Sequence, residues 1–401
     1  MPRVSQASAG VPEVRFDARE LLAEASRRAG GLDDFGDDSF REALRLLVEG
    51  LDEEAKLTPV GRVTEYERTV GLLVNRLRQQ DHVKRHPEIL DEVIARPVVI
   101  VGFPRTGTTM LHRLLASAPG MNAVLWWECR HPSPFPGTRW GEPDPRIAAA
   151  KEEVRQILAA RPELAAIHPW DAEGPDEEIM LMENSFLSWT PESMHDLPSF
   201  GAWREQQDLT PAYAYLRQQL QFLQWQKRKA GRCGDLWVLK APFHLGYLEE
   251  LFAAFPDARI VQTHRDPVQS VPSFASMTVA LWSLGSDDVD PRVAGQRWAK
   301  KFHDGLYSCM AARDRRWNDR FIDVWYRDVA RDPLGQVRRI YAFLGRELSS
   351  EMERAMQRWV DTNPREGRPP HEYTLEQFGF SEAGIEEYFA EYRRRFVAGR
   401  V

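Results

Sequence analysis

Apolar and polar positions alternate along the chain in two distinct periods. From residue 15 to 95 the period is helical. Leu21, Leu22 and Ala25, then Phe40, Leu44, Leu47, Val48 and Leu51, fall at i, i+3, i+4 spacings. Val70, Leu73, Val74 and Leu77 continue the pattern before a mostly polar stretch from Arg78 to His86. Gly30-Gly31 and Thr58-Pro59 are the expected breaks. These residues predict an amphipathic helical cap that packs on the core or on a second subunit, and could form a dimer face.

Short apolar runs then begin to alternate with helical stretches. Val98, Val99, Ile100 and Val101 form a β-branched run expected to be a buried parallel strand. Further strands are predicted over 122–128, ending in Glu128, over 236–240, ending in Lys240, over 259–264, leading into Arg265, and over 321–326, ending in Tyr326. Helices are predicted after each, with Asp332-Pro333 as a cap and first turn before Val337, Ile340 and Phe343. The Pro- and Gly-rich stretch 131–145 reads as an irregular loop. Residues 146–230 read as a helical insertion rich in Met and aromatic residues, most of them core and some fitted to line an acceptor pocket. Strands alternating with helices imply an α/β fold with a parallel sheet and helices on both faces. Ligands of such sheets sit beyond the carboxyl ends of the strands. Arg105, Glu128, Lys240, His244, Arg265 and Tyr326 all fall at or just past such ends.

Composition narrows the class. Of 401 residues, 43% are hydrophobic and 28% charged, which is the balance of a globular protein with a sizeable core. The 53 Lys and Arg against 60 Asp and Glu give a net charge of −7, so the total charge does not suggest nucleic acid as a partner. Cys129, Cys233 and Cys309 are widely spaced, with no metal-ligand pattern, and suit a reduced cytoplasm. The first residues lack the apolar core of a signal peptide, and no run approaches the roughly 18 apolar residues of a membrane span.

The candidate chemistry starts at Gly102-x4-Gly107, a turn between strand and helix where free N–H groups and the helix dipole face one spot. Its spacing is that of a nucleotide phosphate loop. The next residues, however, are Thr108-Thr109 instead of the Lys-Ser or Lys-Thr that handles a triphosphate and magnesium. Arg105 is the cation within the turn.

The core Pro104-Arg105-Thr106-Gly107-Thr108-Thr109 resembles the 5′-phosphosulfate loop of sulfotransferases that use 3′-phosphoadenosine-5′-phosphosulfate (PAPS), most closely their bacterial-type branch. Further parts resemble that family in order. Arg265, followed eight residues later by Ser273, has the spacing of the family's 3′-phosphate pair. Tyr326-Arg327-Asp328 is similar to a Tyr-Glu-Asp segment whose Tyr meets adenine. Asn363 to Arg368 is similar to a basic loop that closes over the 3′-phosphate, carried here by Arg365, Gly367 and Arg368. Met110 stands where the animal enzymes carry a stacking Trp.

The resemblance implies a P-loop-like three-layer fold over residues 96–401, with 1–95 as an N-terminal helical extension and 146–230 as an insertion. It implies sulfonate transfer from PAPS to a hydroxyl or amine of an apolar small molecule, with 3′,5′-adenosine bisphosphate as product and no metal required. Arg105, Thr106, Gly107, Thr108 and Thr109 would hold the phosphosulfate, and Lys240 would stabilise the leaving group. For the general base two residues stand open. His244 resembles the family's Lys-Thr-His histidine displaced by two positions, and Glu128 resembles a glutamate found soon after the loop in other bacterial relatives. A P-loop small-molecule kinase and a non-catalytic nucleotide-binding protein are the competing readings.

Overall fold

The computed structural model describes residues 14–160, 162, 164–167, 170–363 and 373–399. Five parallel strands form one sheet in the order β2-β3-β1-β4-β5: β1 Val98–Gly102, β2 Met121–Asn122, β3 Leu236–Lys240, β4 Arg259–His264 and β5 Phe321–Trp325. The alternation of side chains along each strand divides the core in two. Val99, Val101, Leu239 and Ile260 face one apolar cluster, while Val98, Ile100, Val238, Val261 and Val324 face another. Helices cover both faces, so β1, β3 and most of β4 are buried along their length.

The first cluster also takes Leu21, Leu44, Leu47, Val70, Leu73 and Leu77 from three N-terminal helices, α1 Ala18–Arg28, α2 Phe40–Glu53 and α3 Pro59–Arg85. The polar stretch from Arg78 does not end α3. Gln79 and Val83 are buried, and the helix continues to Arg85. The second cluster takes Leu111, Leu114 and Leu115 from α4 Thr108–Ala116, and Val337, Ile340 and Leu344 from the helix Pro333–Leu344.

The strand expected over 122–128 is much shorter. Only Met121 and Asn122 pair with β3. Leu125 bridges instead to Pro175 of the insertion, and α5 Trp126–Arg130 starts at once. The Glu128 carboxylate folds back to accept the Leu125 N–H at 3.0 Å, which favours the helical turn over an extended chain. Glu128 therefore lies in a short helix and closes no strand. At the other edge, β5 ends at Trp325, and Tyr326 opens the helix Tyr326–Arg331. No helix among the described residues is long and apolar enough to cross a membrane.

Candidate active site

The turn from β1 to α4 is held open by backbone geometry. Gly102 has φ +152° and Gly107 has φ +87°. A Cβ on Gly102 would meet Thr263 Oγ1 at 2.2 Å, and one on Gly107 would meet the Tyr326 ring at 3.0 Å. Arg105 takes a left-handed φ of +68°, rare for a long side chain. Thr106 braces this shape from inside. Its hydroxyl donates to the Phe103 carbonyl at 2.6 Å and lies 2.6 Å from Thr263 Oγ1, and the residue is fully buried. Thr106 thus meets the protein's own interior, while Arg105 reaches across the turn. The first N–H groups of α4 have no partner within the helix and face the loop.

Three predicted residues from the far half of the chain arrive at this loop. Ser273 Oγ accepts from Arg105 Nε at 3.2 Å. Arg265 Nη1 donates to the Arg105 carbonyl at 2.8 Å, and its guanidinium lies over the Tyr326 ring at 4.2 Å. A plain surface ion pair between Arg265 and Asp266 would have explained Arg265 without a ligand. The Asp266 carboxylate instead accepts from Arg393 Nη2 at 3.0 Å and from the Val268 N–H at 3.1 Å. Arg265 pairs with no carboxylate among the described residues, and burial presses its pKa below the ordinary guanidinium value. Beside it opens a cavity of about 760 Å³, lined by Arg265, Tyr326, Arg327 and Arg331 among others. A half-buried cation with no carboxylate partner among the described residues, beside a cavity lined by three arginines against Asp266 and Asp328, suits an anionic ligand.

The end of β3 supplies a second cluster. Lys240 is almost fully buried, forms an ion pair with Glu177, and lies 3.4 Å from Thr109 Oγ1 at the loop. Glu178, next in sequence, accepts from the Lys240 backbone N–H at 2.7 Å and from His244 Nε2 at 2.8 Å. Burial alone would raise the Glu178 pKa, but the hydrogen bonds from His244 and the Lys240 backbone N–H hold it below the usual carboxylate value. Burial drives the Tyr213 phenol well above its ordinary pKa, so its OH keeps the proton and donates to His244 Nδ1 at 2.7 Å. With Nε2–H donating to Glu178, both ring nitrogens of His244 are committed and the side chain is fully buried.

The two residues expected as the base are both enclosed and hydrogen-bonded within the protein. His244 is enclosed, and Glu128 is 2% exposed and ion-paired to Lys227 at 2.5 Å. Glu177, 26% exposed and in contact with Lys240, is the carboxylate that both touches the cluster and reaches open space. Spacing does not suggest it, since it sits in the long insertion. The one visible signal is the acidic triplet Asp176-Glu177-Glu178 in an otherwise apolar, aromatic stretch. Arg365, Gly367 and Arg368 lie outside the described residues. Among the described residues, no group of three or more His, Cys, Asp or Glu side chains could hold a metal ion.

Comparison with known proteins shows the family. Residues 97–350 match the model of a family described as the sulfotransferase family. The chain is 26% identical over 270 residues to the omega-hydroxy-beta-dihydromenaquinone-9 sulfotransferase Stf3 of Mycobacterium bovis, and equally to that of Mycobacterium tuberculosis. That match covers 64% of this chain, which spans 65% of the length of those curated relatives. The crystal structure of sulfotransferase STF9 from Mycobacterium avium superposes with a TM-score of 0.86 at 30% identity, covering 96% of this chain and 98% of that one. Sulfotransferase STF1 from Mycobacterium tuberculosis gives a TM-score of 0.81 at 33% identity, over 95% and 99% of the two chains. The protein belongs to the sulfotransferase family.

Proposed function

We propose that the protein transfers a sulfonate group from PAPS to a hydroxyl, or an amine, of an apolar small molecule. The observation that carries this reading is the contact of Arg265 and Ser273 with Arg105 of the phosphate loop. It joins a 5′-anion site to a second basic site, as a donor with phosphate groups at both 3′ and 5′ positions requires. The donor supplies the sulfonate group and leaves as 3′,5′-adenosine bisphosphate. Arg105 and the loop N–H groups from Thr106 to Thr109 hold the phosphosulfate. Arg265 and Ser273 hold the 3′-phosphate, with Arg365, Gly367 and Arg368 covering it, and the Tyr326 ring flanks the adenine.

Lys240 offsets charge on the oxygen that leaves. Glu177 takes the proton of the attacking hydroxyl, a role its exposure beside Lys240 supports better than the enclosed side chains of His244 or Glu128. Both of these then act on the fold, His244 by fixing Glu178 against the Lys240 backbone. Arg105, Lys240 and Arg265 meet the charge of the donor, so the reading needs no metal. A kinase is not favoured, because Thr108 stands where the triphosphate-binding lysine is needed.

The hydroxylated menaquinone derivative in the name of the Mycobacterium bovis relative supports an apolar acceptor, as does the aromatic insertion. The three cysteines form no disulfide, which supports a cytoplasmic setting. The test is incubation with sulfur-35-labelled PAPS and a panel of hydroxylated apolar molecules. Label should pass to at least one acceptor, and Lys240→Ala should abolish the transfer. Phosphate transfer from magnesium-ATP, with no transfer of label, would overturn the reading.

A further inference from the structure

A second cavity, of about 640 Å³, lies far from the phosphate loop. The end of α3 leads toward the start of β1, and the end of the helix Thr210–Lys229 leads toward the start of β3. The last turns of both helices line this cavity, which places it at the amino end of the sheet, opposite the site described above. The Pro- and Gly-rich segment 134–138 and Trp140 form its outer wall. Its volume is that of a small-molecule site.

The wall carries more positive charge than its own carboxylates answer. Arg28 is held by Glu24 and Glu67, and Arg85 by Asp81, while Lys229 lies over the Trp225 ring at 5.4 Å. Arg78, half-buried, forms no ion pair with any described residue, and burial presses its pKa down. Cations in a last helical turn complement the helix dipole, which accounts for Arg85 and Lys229. Arg78 stands about two turns before the end of α3, where that effect has faded. His82 Nδ1 and Thr138 Oγ1, also of wall residues, are buried without a hydrogen-bond partner. The same wall is aromatic. Trp140 meets Trp225 edge-on at 5.6 Å and remains 40% exposed, and Phe135 packs edge-on against His131 at 5.1 Å.

We propose that this cavity binds a small aromatic anion, whose ring rests on Trp140 and Trp225 and whose phosphate, sulfate or carboxylate group pairs with Arg78. Both halves of the ligand are needed. A bare anion gains nothing from the tryptophans, and a neutral ring leaves Arg78 without a counter-charge.

The test is calorimetric titration of the full chain carrying Arg265→Ala, so that the proposed donor site does not report. The probes are 1-naphthyl phosphate, 1-naphthyl sulfate and 1-naphthoate, with inorganic phosphate and 1-naphthol as controls. At least one naphthyl anion should bind ten-fold or more tightly than either control, and comparison of the three identifies the preferred anionic group. Arg78→Met should cost that binding at least ten-fold while leaving the melting temperature of the free protein unchanged or higher, because a half-buried cation without an ion-pair partner is lost. Trp140→Ala, at an exposed ring, should weaken binding by a similar factor and decides the matter if Arg78→Met fails to fold. Naphthyl anions that bind no better than the controls, or whose binding survives Trp140→Ala, would overturn the proposal.

Discussion

Arg265 Nη1 donates to the backbone carbonyl of Arg105 at 2.8 Å, across 160 residues of sequence. The carbonyl belongs to a residue held at φ +68°, so the guanidinium supports the loop in a conformation a long side chain rarely adopts. Its Nε donates to Gln269 at 3.0 Å, and the side chain lines a cavity together with Arg327 and Arg331. One side chain thus links the shape of the phosphate loop to the proposed 3′-phosphate site.

The two loop glycines should be intolerant of any side chain, to different degrees. Gly107→Ala forces an L-residue into left-handed backbone and against the Tyr326 ring, and should cost about 1–2 kcal/mol. Gly102→Ala drives a Cβ into Thr263 Oγ1 and should cost more, on the order of 3 kcal/mol. Thermal denaturation of both variants checks the order. A Gly102→Ala protein as stable as the parent would contradict the packing described for the loop.

Glu177 and Glu128 should differ in their effect on chemistry. Glu177→Gln leaves the buried Lys240 without its partner and so lowers stability too, but it should also lower kcat by about 10²–10⁴-fold, measured on the folded protein. Glu128→Gln leaves Lys227 buried without its partner and should cost about 3–5 kcal/mol of stability. Paired measurements of kcat and chemical denaturation distinguish them. Full activity in Glu177→Gln would remove this residue as the base.

Acid should weaken the fold through His112. Burial first, and then the charge of Lys240, depress its pKa from 6.5 to about 4, and it lies 3.2 Å from the Val238 carbonyl between α4 and β3. The unfolded chain takes up the proton more readily, so the contribution is complete above about pH 6.5 and is lost as the pH falls toward 4. The full loss is on the order of 3 kcal/mol. His112→Gln should flatten the stability profile in that window. An unchanged slope would show that His112 takes up its proton without cost in the folded protein.

Much of the architecture was legible because buried parallel strands announce themselves. The β-branched run Val98–Val101 and the stretch Arg259–His264 pair over their lengths in the sheet. The segment after Asn122 misled because its apolar residues serve a helix and a bridge to Pro175 instead of a ladder. Glu177 was not legible at all. Its contact with Lys240 spans 63 positions and is made by a folded insertion, so no spacing rule applies to it. His244 was singled out by its place after Lys240. What removes it from the surface is Tyr213 and Glu178, which arrive from that same insertion.

The central claim is that Arg265 and the phosphate loop form one site for a nucleotide phosphorylated at both 3′ and 5′ positions. The most direct measurement is calorimetric titration of the purified protein with 3′,5′-adenosine bisphosphate and with magnesium-ATP, repeated on Arg265→Ala. The account predicts clear preference for the bisphosphate and a loss of about 10- to 100-fold in its affinity in the variant, the scale of charge-assisted hydrogen bonds to one phosphate. Preference for magnesium-ATP, or bisphosphate binding indifferent to Arg265, would contradict it.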